Sequence, residues 1–172
     1  MSFFKIALCL ALAETSLAVS HDDLYKALDT NRRIWIVLRD YHRYTEGQEH
    51  SCIHAEKTLL TDTNYEFNQY YKVGNTRYLE HLYGTLQREN PVLTVSKTKG
   101  GPGIEYTLKY WNEEQHCAYL TFTDPGDRQS KCELHLWEEN IPTSTELYPC
   151  EDQYEKFCGS NKHNVFKSSC LE

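Results

Sequence analysis

The pattern of apolar and polar positions changes period once along this chain. From Ser20-His21-Asp22-Asp23, apolar residues recur at helical spacing at Leu24, Ala27 and Leu28. A hydroxyl followed three residues on by an acid is a helix-start signature, so a short helix to about Asp29 is expected. Beyond it the period drops to two and eight strand-like runs follow: Ile34 to Tyr41, Cys52 to Thr61, Tyr65 to Val73, Thr76 to Gln87, Val92 to Lys97, Ile104 to Trp111, Gln115 to Phe122 and Lys131 to Trp137. A polar loop separates the first two runs. Gly74-Asn75 is a two-residue hairpin signal, and Glu89-Asn90-Pro91, the GGPG of Gly100 to Gly103 and the DPGDRQS of Asp124 to Ser130 punctuate the rest.

Short sequential strands joined by tight turns, with no helices between them, predict an antiparallel meander. Eight such strands close into an up-and-down β-barrel, which removes exposed edges and is about the size that holds one small ligand. The expected fold is all-β, with a short helix before the barrel and another after it. In that second helix Pro149 stands at the first position, Glu151 and Asp152 in the first turn, and Gly159 at the stop. Its apolar face reads Cys150, Tyr154, Phe157 and Cys158. A strand-like tail, NVFKSSCLE, ends the chain.

Ahead of all this, Lys5 precedes an apolar run from Ile6 to Ala13, with small residues at Ser16, Ala18 and Ser20. This reads as a secretory signal over residues 1–20, cut after Ala18 or Ser20, leaving one domain over 21–172. The run is too short for a membrane span. Secretion in turn predicts disulfides among Cys52, Cys117, Cys132, Cys150, Cys158 and Cys170. No C-x-x-C pair suggests zinc, and neither a metal nor a cofactor is expected. The formal charge of −7 excludes nucleic acid and anionic membrane as natural partners of the chain as a whole. Thirteen tyrosines and three tryptophans suit the wall of a ligand cavity and also half-buried strands.

If the turn between the last two strands centres on Gly126-Asp127, Cys132 faces Thr121 and shares a face with Cys117. The two thiols then lie roughly 13 Å apart. Cys150 and Cys158 on the helix lie roughly 12 Å apart. The helix can therefore be clamped at both ends, as Cys117–Cys150 with Cys132–Cys158 or as the swapped pairing, and Cys52–Cys170 remains as the third bridge. The opposite face of the same strand pair turns Ala118, Leu120, Phe122, Glu133, His135 and Trp137 inward. A buried carboxylate and imidazole need partners, supplied by a ligand, a tyrosine or water. An enzyme is not expected: Glu133 and His135 stand without a nucleophile motif, and every later cysteine is assigned to a bridge. His50 and His54 read as surface or structural.

The helix DDLYKAL, then IWIVLR, HCAYLTF, CELHLW, IPTSTELYPC and the terminal SSCLE together resemble the tick salivary lipocalins, the family that includes the histamine-binding proteins. The general G-x-W of lipocalins is not intact, since Arg33 and Ile34 precede Trp35. The resemblance implies bridges at Cys52–Cys170 and Cys117–Cys150, with Cys132–Cys158 as the extra pair of a subset that includes japanin-like immunomodulators. It also implies a secreted, monomeric salivary protein that binds a host-derived ligand in its barrel and modulates host inflammation or immunity. Amine-binding members carry an aspartate and an aromatic residue where this chain has Ala118 and His135, while Glu133 and Leu134 are kept. An amphipathic lipid or sterol is therefore the favoured ligand, a biogenic amine such as histamine or serotonin the alternative. A third reading is recognition of a host immune protein or cell through loops Tyr41–Ser51 and Asn90–Gly103.

Overall fold

The computed structural model describes residues 18–144 and 147–172; all but the last three residues of the expected signal segment lie outside the described residues. Helix α1 (His21–Leu28) is capped reciprocally: Ser20 Oγ accepts from the Asp23 backbone N–H, and the Asp23 carboxylate accepts from the Ser20 N–H. Ten strands follow: β1 (Ile34–Arg39), β2 (Tyr44–Thr45), β3 (Gln48–Leu60), β4 (Asn64–Val73), β5 (Thr76–Leu86), β6 (Val92–Ser96), β7 (Ile104–Asn112), β8 (Cys117–Thr123), β9 (Ser130–Trp137) and β10 (His163–Asn164). Helix α2 (Glu151–Cys158) lies between β9 and β10.

Every pairing is antiparallel, and β3 to β9 pair in chain order. Strand β1 then pairs with both β9 and β3, closing eight strands into a barrel. At the β4–β5 turn Gly74 takes φ 59°, a left-handed conformation that costs glycine nothing. The β8–β9 register sets Ala118 opposite His135, Leu120 opposite Glu133 and Thr121 opposite Cys132.

Because side chains alternate across each strand, the wall separates two apolar layers. Inside, Leu24 and Leu28 of α1 meet Ile34, Tyr65, Leu86 and Leu108 and close one end of the barrel. Outside, Trp35, Leu134, Leu136 and Tyr119 pack under Tyr154 and Phe166. Three disulfides staple the outer layer: Cys117–Cys150 at the start of α2, Cys132–Cys158 at its end, and Cys52–Cys170 at the C-terminus, with Cα separations of 6.1, 6.0 and 5.2 Å.

Four local expectations give way. The loop after β1 is partly ordered by the β2–β3 hairpin, so β3 starts at Gln48 rather than Cys52. Pro149 precedes α2 instead of opening it. Within α2 the buried positions are Glu151 and Tyr154, whereas Phe157 is 54% exposed over the Tyr119 ring. Two bridges, rather than an apolar stripe, set the rotation of this helix, and Glu151 is compensated by Lys162 and the Tyr148 N–H. The tail is two residues of strand and then a 3-10 turn, Ser168–Leu171, that carries Cys170 back to Cys52.

Candidate functional site

The barrel encloses a cavity of about 340 Å³. This is at the small end of the range for small-molecule sites. Five of the six residues expected inside line it: Ala118, Leu120, Glu133, His135 and Trp137. Phe122 does not. It lies on the same inner face, buried beyond the cavity lining, with its ring 5.5 Å from Tyr41 and 4.8 Å from Tyr106, both of which face the cavity.

The closed end is aromatic. Trp137 Nε1–H donates to the Ala27 carbonyl at 2.9 Å, which ties α1 across the barrel floor. The Trp137 ring stacks on His116 at 4.1 Å and meets Trp111 at 5.8 Å. Tyr65, only 2% exposed, stacks on Phe67 and brings a phenol with no partner among the described residues.

The other end is polar, and a backbone irregularity builds it. A bulge lies between Ile36 and Leu38 in β1. Ile36 faces inward, Val37 and Leu38 both join the outer layer, and the parity then resumes with Arg39 on the cavity wall. Arg39 is 1% exposed. Its Nη2 donates to the His50 carbonyl at 2.9 Å and to Glu49 at 3.3 Å, and its guanidinium lies 5.0 Å from the Tyr41 ring centre. The Arg39 Nε–H has no acceptor among the described residues.

Glu133 is 3% exposed and fully partnered by protein groups. Tyr41 Oη donates to its Oε1, and the His135 Nε2–H donates to its Oε2 at 2.8 Å. Burial alone pushes this carboxyl up. The imidazole, the phenol and the Arg39 charge outweigh that and hold it below the usual carboxylate range. Burial, then the Glu133 charge, drives the Tyr41 phenol far upward, so Tyr41 stays a donor. Tyr106 is raised in the same way.

His50, read from the sequence as surface or structural, lines the cavity and stacks on Tyr71 at 5.0 Å, whereas His54, opposite Trp35 in the β1–β3 pairing, turns its ring to the outer layer and is structural. His54 is sandwiched between Trp35 at 4.3 Å and Tyr70 at 4.8 Å. Burial holds both imidazoles below their ordinary value, with Arg43 adding to the effect on His50 and Arg33 to that on His54. Sequence reasoning missed Arg39, Tyr41, Tyr65 and Tyr106 as wall residues. A lone arginine ending the apolar run IWIVL was the available signal for Arg39. The bulge that turns it inward left none. Among the described residues, no group of three or more His, Cys, Asp or Glu is arranged to hold a metal, and no helix is long and apolar enough to cross a membrane.

An eight-stranded closed barrel with a helix across one end, a second helix on its wall and an internal cavity is a lipocalin. Residues 12–172 match the family described as "Tick histamine binding protein", and the chain belongs to that family. Among solved structures, japanin from Rhipicephalus appendiculatus, bound to cholesterol, superimposes with a TM-score of 0.56 at 13% identity, over 84% of this chain and 98% of japanin. The AM182 serotonin complex gives a TM-score of 0.62 at 13% identity, over 85% of this chain and 90% of that one. Comparison with curated proteins returns no match.

Proposed function

We propose that this protein is a secreted salivary lipocalin that carries one small host-derived ligand, an amphipathic lipid or sterol, and so modulates host inflammation or immunity. The observation that carries the choice is Glu133. It is the buried carboxylate of the cavity, and Tyr41 and His135 already satisfy it. An ammonium ligand needs an uncompensated carboxylate and an aromatic box. Here Ala118 offers no second acid, and Arg39 and the His135 imidazole stand beside the one buried in the wall. The remaining wall is largely apolar, from Leu24 and Leu28 through Phe67, Leu82 and Leu120.

Barrels of this shape hold cholesterol in japanin and serotonin in AM182, so the wall residues, not the fold, have to choose. The family description and the AM182 complex favour amine scavenging as the second reading. Native mass spectrometry of protein collected from its natural secretion, followed by release of the bound molecule, tests the first reading. A co-purified sterol or lipid is expected. An empty barrel that releases heat with histamine or serotonin in calorimetry establishes the second, and an empty barrel that captures a host protein points to the loops.

A further inference from the structure

Along one seam the barrel closes by direct strand pairing only near its closed end. Strands β1 and β3 pair at two positions, Ile34 opposite Ala55 and Trp35 opposite His54. Beyond that level, towards the polar end, both strands are irregular. β1 bulges between Ile36 and Leu38, and β3 shifts register against β4 between Ser51 and His54. Cys52, inside that shift, takes φ 52°, a left-handed conformation that is costly for a cysteine. The C-terminal tail fills the gap. The Val165 N–H donates to the Val37 carbonyl at 3.1 Å, and the Val165 carbonyl accepts from the Cys52 N–H at 2.9 Å. The Val165 side chain packs with Ile36 and Ile53, two residues of the cavity wall. The tail is fastened unequally to the two strands. On the β1 side it has the β10 pairing of Leu38 with Asn164 and Arg39 with His163, the Asn161 side-chain bond to the Asp40 carbonyl, and the Phe166 ring against Trp35. On the β3 side the described residues show one backbone hydrogen bond and the Cys52–Cys170 bridge, with Arg77 of β5 donating to the Glu172 carbonyl at 2.7 Å.

We infer that the line between Cys52 and Val165 is a side opening of the cavity, and that the Cys52–Cys170 bridge is the latch that holds it shut. Parting the seam breaks one backbone hydrogen bond and exposes the small contact of Val165 with Ile36 and Ile53. That is the scale of a local opening, well short of global unfolding. The ladders on either side, β1 with β9 and β3 with β4, keep their pairs, and the tail moves with β1, to which it is better fastened. With the bridge closed, Cys170 stays 5.2 Å from Cys52 between Cα atoms and tethers the tail five residues beyond Val165, so the seam cannot part widely. The other two bridges join α2 to β8 and β9 and do not cross the seam. A parted seam leads directly to Ile36 and Ile53 and bypasses the polar groups of the mouth, so an apolar body passes sideways into the barrel. The rate of ligand exchange is then set by one latch, whichever ligand the barrel carries.

Three proteins test this: the oxidised protein, the Cys52→Ser/Cys170→Ser variant, and the Cys132→Ser/Cys158→Ser variant, which loses a bridge but keeps the latch. Two readouts are followed, amide hydrogen exchange and stopped-flow release of 1-aminoanthracene, a neutral fluorescent probe small enough for the cavity. Without the latch, the amides at positions 52 and 165 are expected to exchange at least about tenfold faster than those of the β8–β9 ladder, and the probe to leave about tenfold faster than from the oxidised protein. In the Cys132/Cys158 variant the seam amides and the release rate should stay as they are in the oxidised protein. If the latch-free variant fails to fold, Val165→Gly, which keeps all three bridges and removes the side chain that fills the slit, should speed release about threefold. Seam amides as protected as the β8–β9 ladder, one release rate in all proteins, or equal acceleration in both bridge variants would overturn the latch, the last by tracing the effect to general loosening. Failure of every protein to take up 1-aminoanthracene would overturn the side opening as well. None of these results bears on which natural ligand the barrel carries, which the native mass spectrometry decides separately.

Discussion

Tyr41 donates its phenolic hydrogen to Glu133 across 2.5 Å, from a residue just past the end of β1 to one on β9, with Arg39 on the same wall beneath the Tyr41 ring. The contact joins two strands that are consecutive around the barrel and far apart in the chain. Removing the hydroxyl in Tyr41→Phe leaves one buried carboxylate oxygen without a donor. A hydrogen bond to a charged group is worth about 1.5–3 kcal/mol, and a loss of that order is expected in urea denaturation with an unchanged slope.

Acid sensitivity should follow from Glu133. Its folded-state pKa lies below the unfolded one, so its contribution to stability is complete above the usual carboxylate range and is lost as pH falls through the depressed folded value. Glu133→Gln keeps one acceptor oxygen, for either Tyr41 or His135, and no longer titrates. The expected result is a lower stability at neutral pH and a shallower decline on acidification than in the unmodified protein. Parallel declines in the two proteins would place the acid-labile group elsewhere.

The disulfides should differ in worth by the length of chain each closes. In the chain-entropy picture Cys52–Cys170, whose partners stand 118 positions apart, contributes about 5 kcal/mol, and Cys132–Cys158, 26 positions apart, about 3.5 kcal/mol. Replacing each pair by serines and comparing thermal and denaturant midpoints checks the order. The Cys132/Cys158 variant should also show faster amide exchange in the last turn of α2, because that bridge is what holds it to β9.

Gly84 permits a close approach inside the barrel. A Cβ there would stand 2.8 Å from the Tyr65 carbonyl oxygen and 2.7 Å from Leu93 Cδ1. The leucine can shift; the backbone oxygen, held in the β4–β5 ladder, cannot do so freely. Gly84→Ala is expected to lose about 1–3 kcal/mol, the usual range for overpacking, and to shrink the cavity at its closed end. Gly47 and Gly100, whose surroundings are open, serve as controls only for space, since both have positive φ.

Processing should occur after Ala18. Ser20 caps α1 through the reciprocal bonds with Asp23, and Val19 packs against the inner core. Cleavage after Ser20 would remove both, with a cap alone worth about 1 kcal/mol. N-terminal sequencing of the secreted protein should therefore begin at Val19; a start at His21 would refute this.

Much of the architecture was legible along the chain because the relevant signals are local. The change from helical to alternating periodicity located α1 and the barrel strands, Gly74-Asn75 marked a hairpin, and the turn at Gly126-Asp127 fixed the β8–β9 register by itself. That register alone sorts the strand pair into an outer face with Cys117 and Cys132 and an inner face with Ala118, Leu120, Glu133 and His135. One turn and a period of two decide these positions, and no distant contact enters.

The ligand end of the cavity was settled by interactions of another kind. Arg39 faces inward because β1 bulges between Ile36 and Leu38, and a bulge is a property of how two strands with different demands pair, not of either sequence. His50 reaches the cavity because β3 begins four residues earlier than its apolar pattern suggests, through pairing with β2. Phe157 is exposed because two bridges, not its own hydrophobicity, orient α2. By itself, then, the sequence determined the barrel and the facing of its last two strands. The closure of β1 onto β9 and β3 decided whether Glu133 would be free for a ligand or already bound, because its partner Tyr41 lies about ninety residues away and only the closed barrel brings the two together.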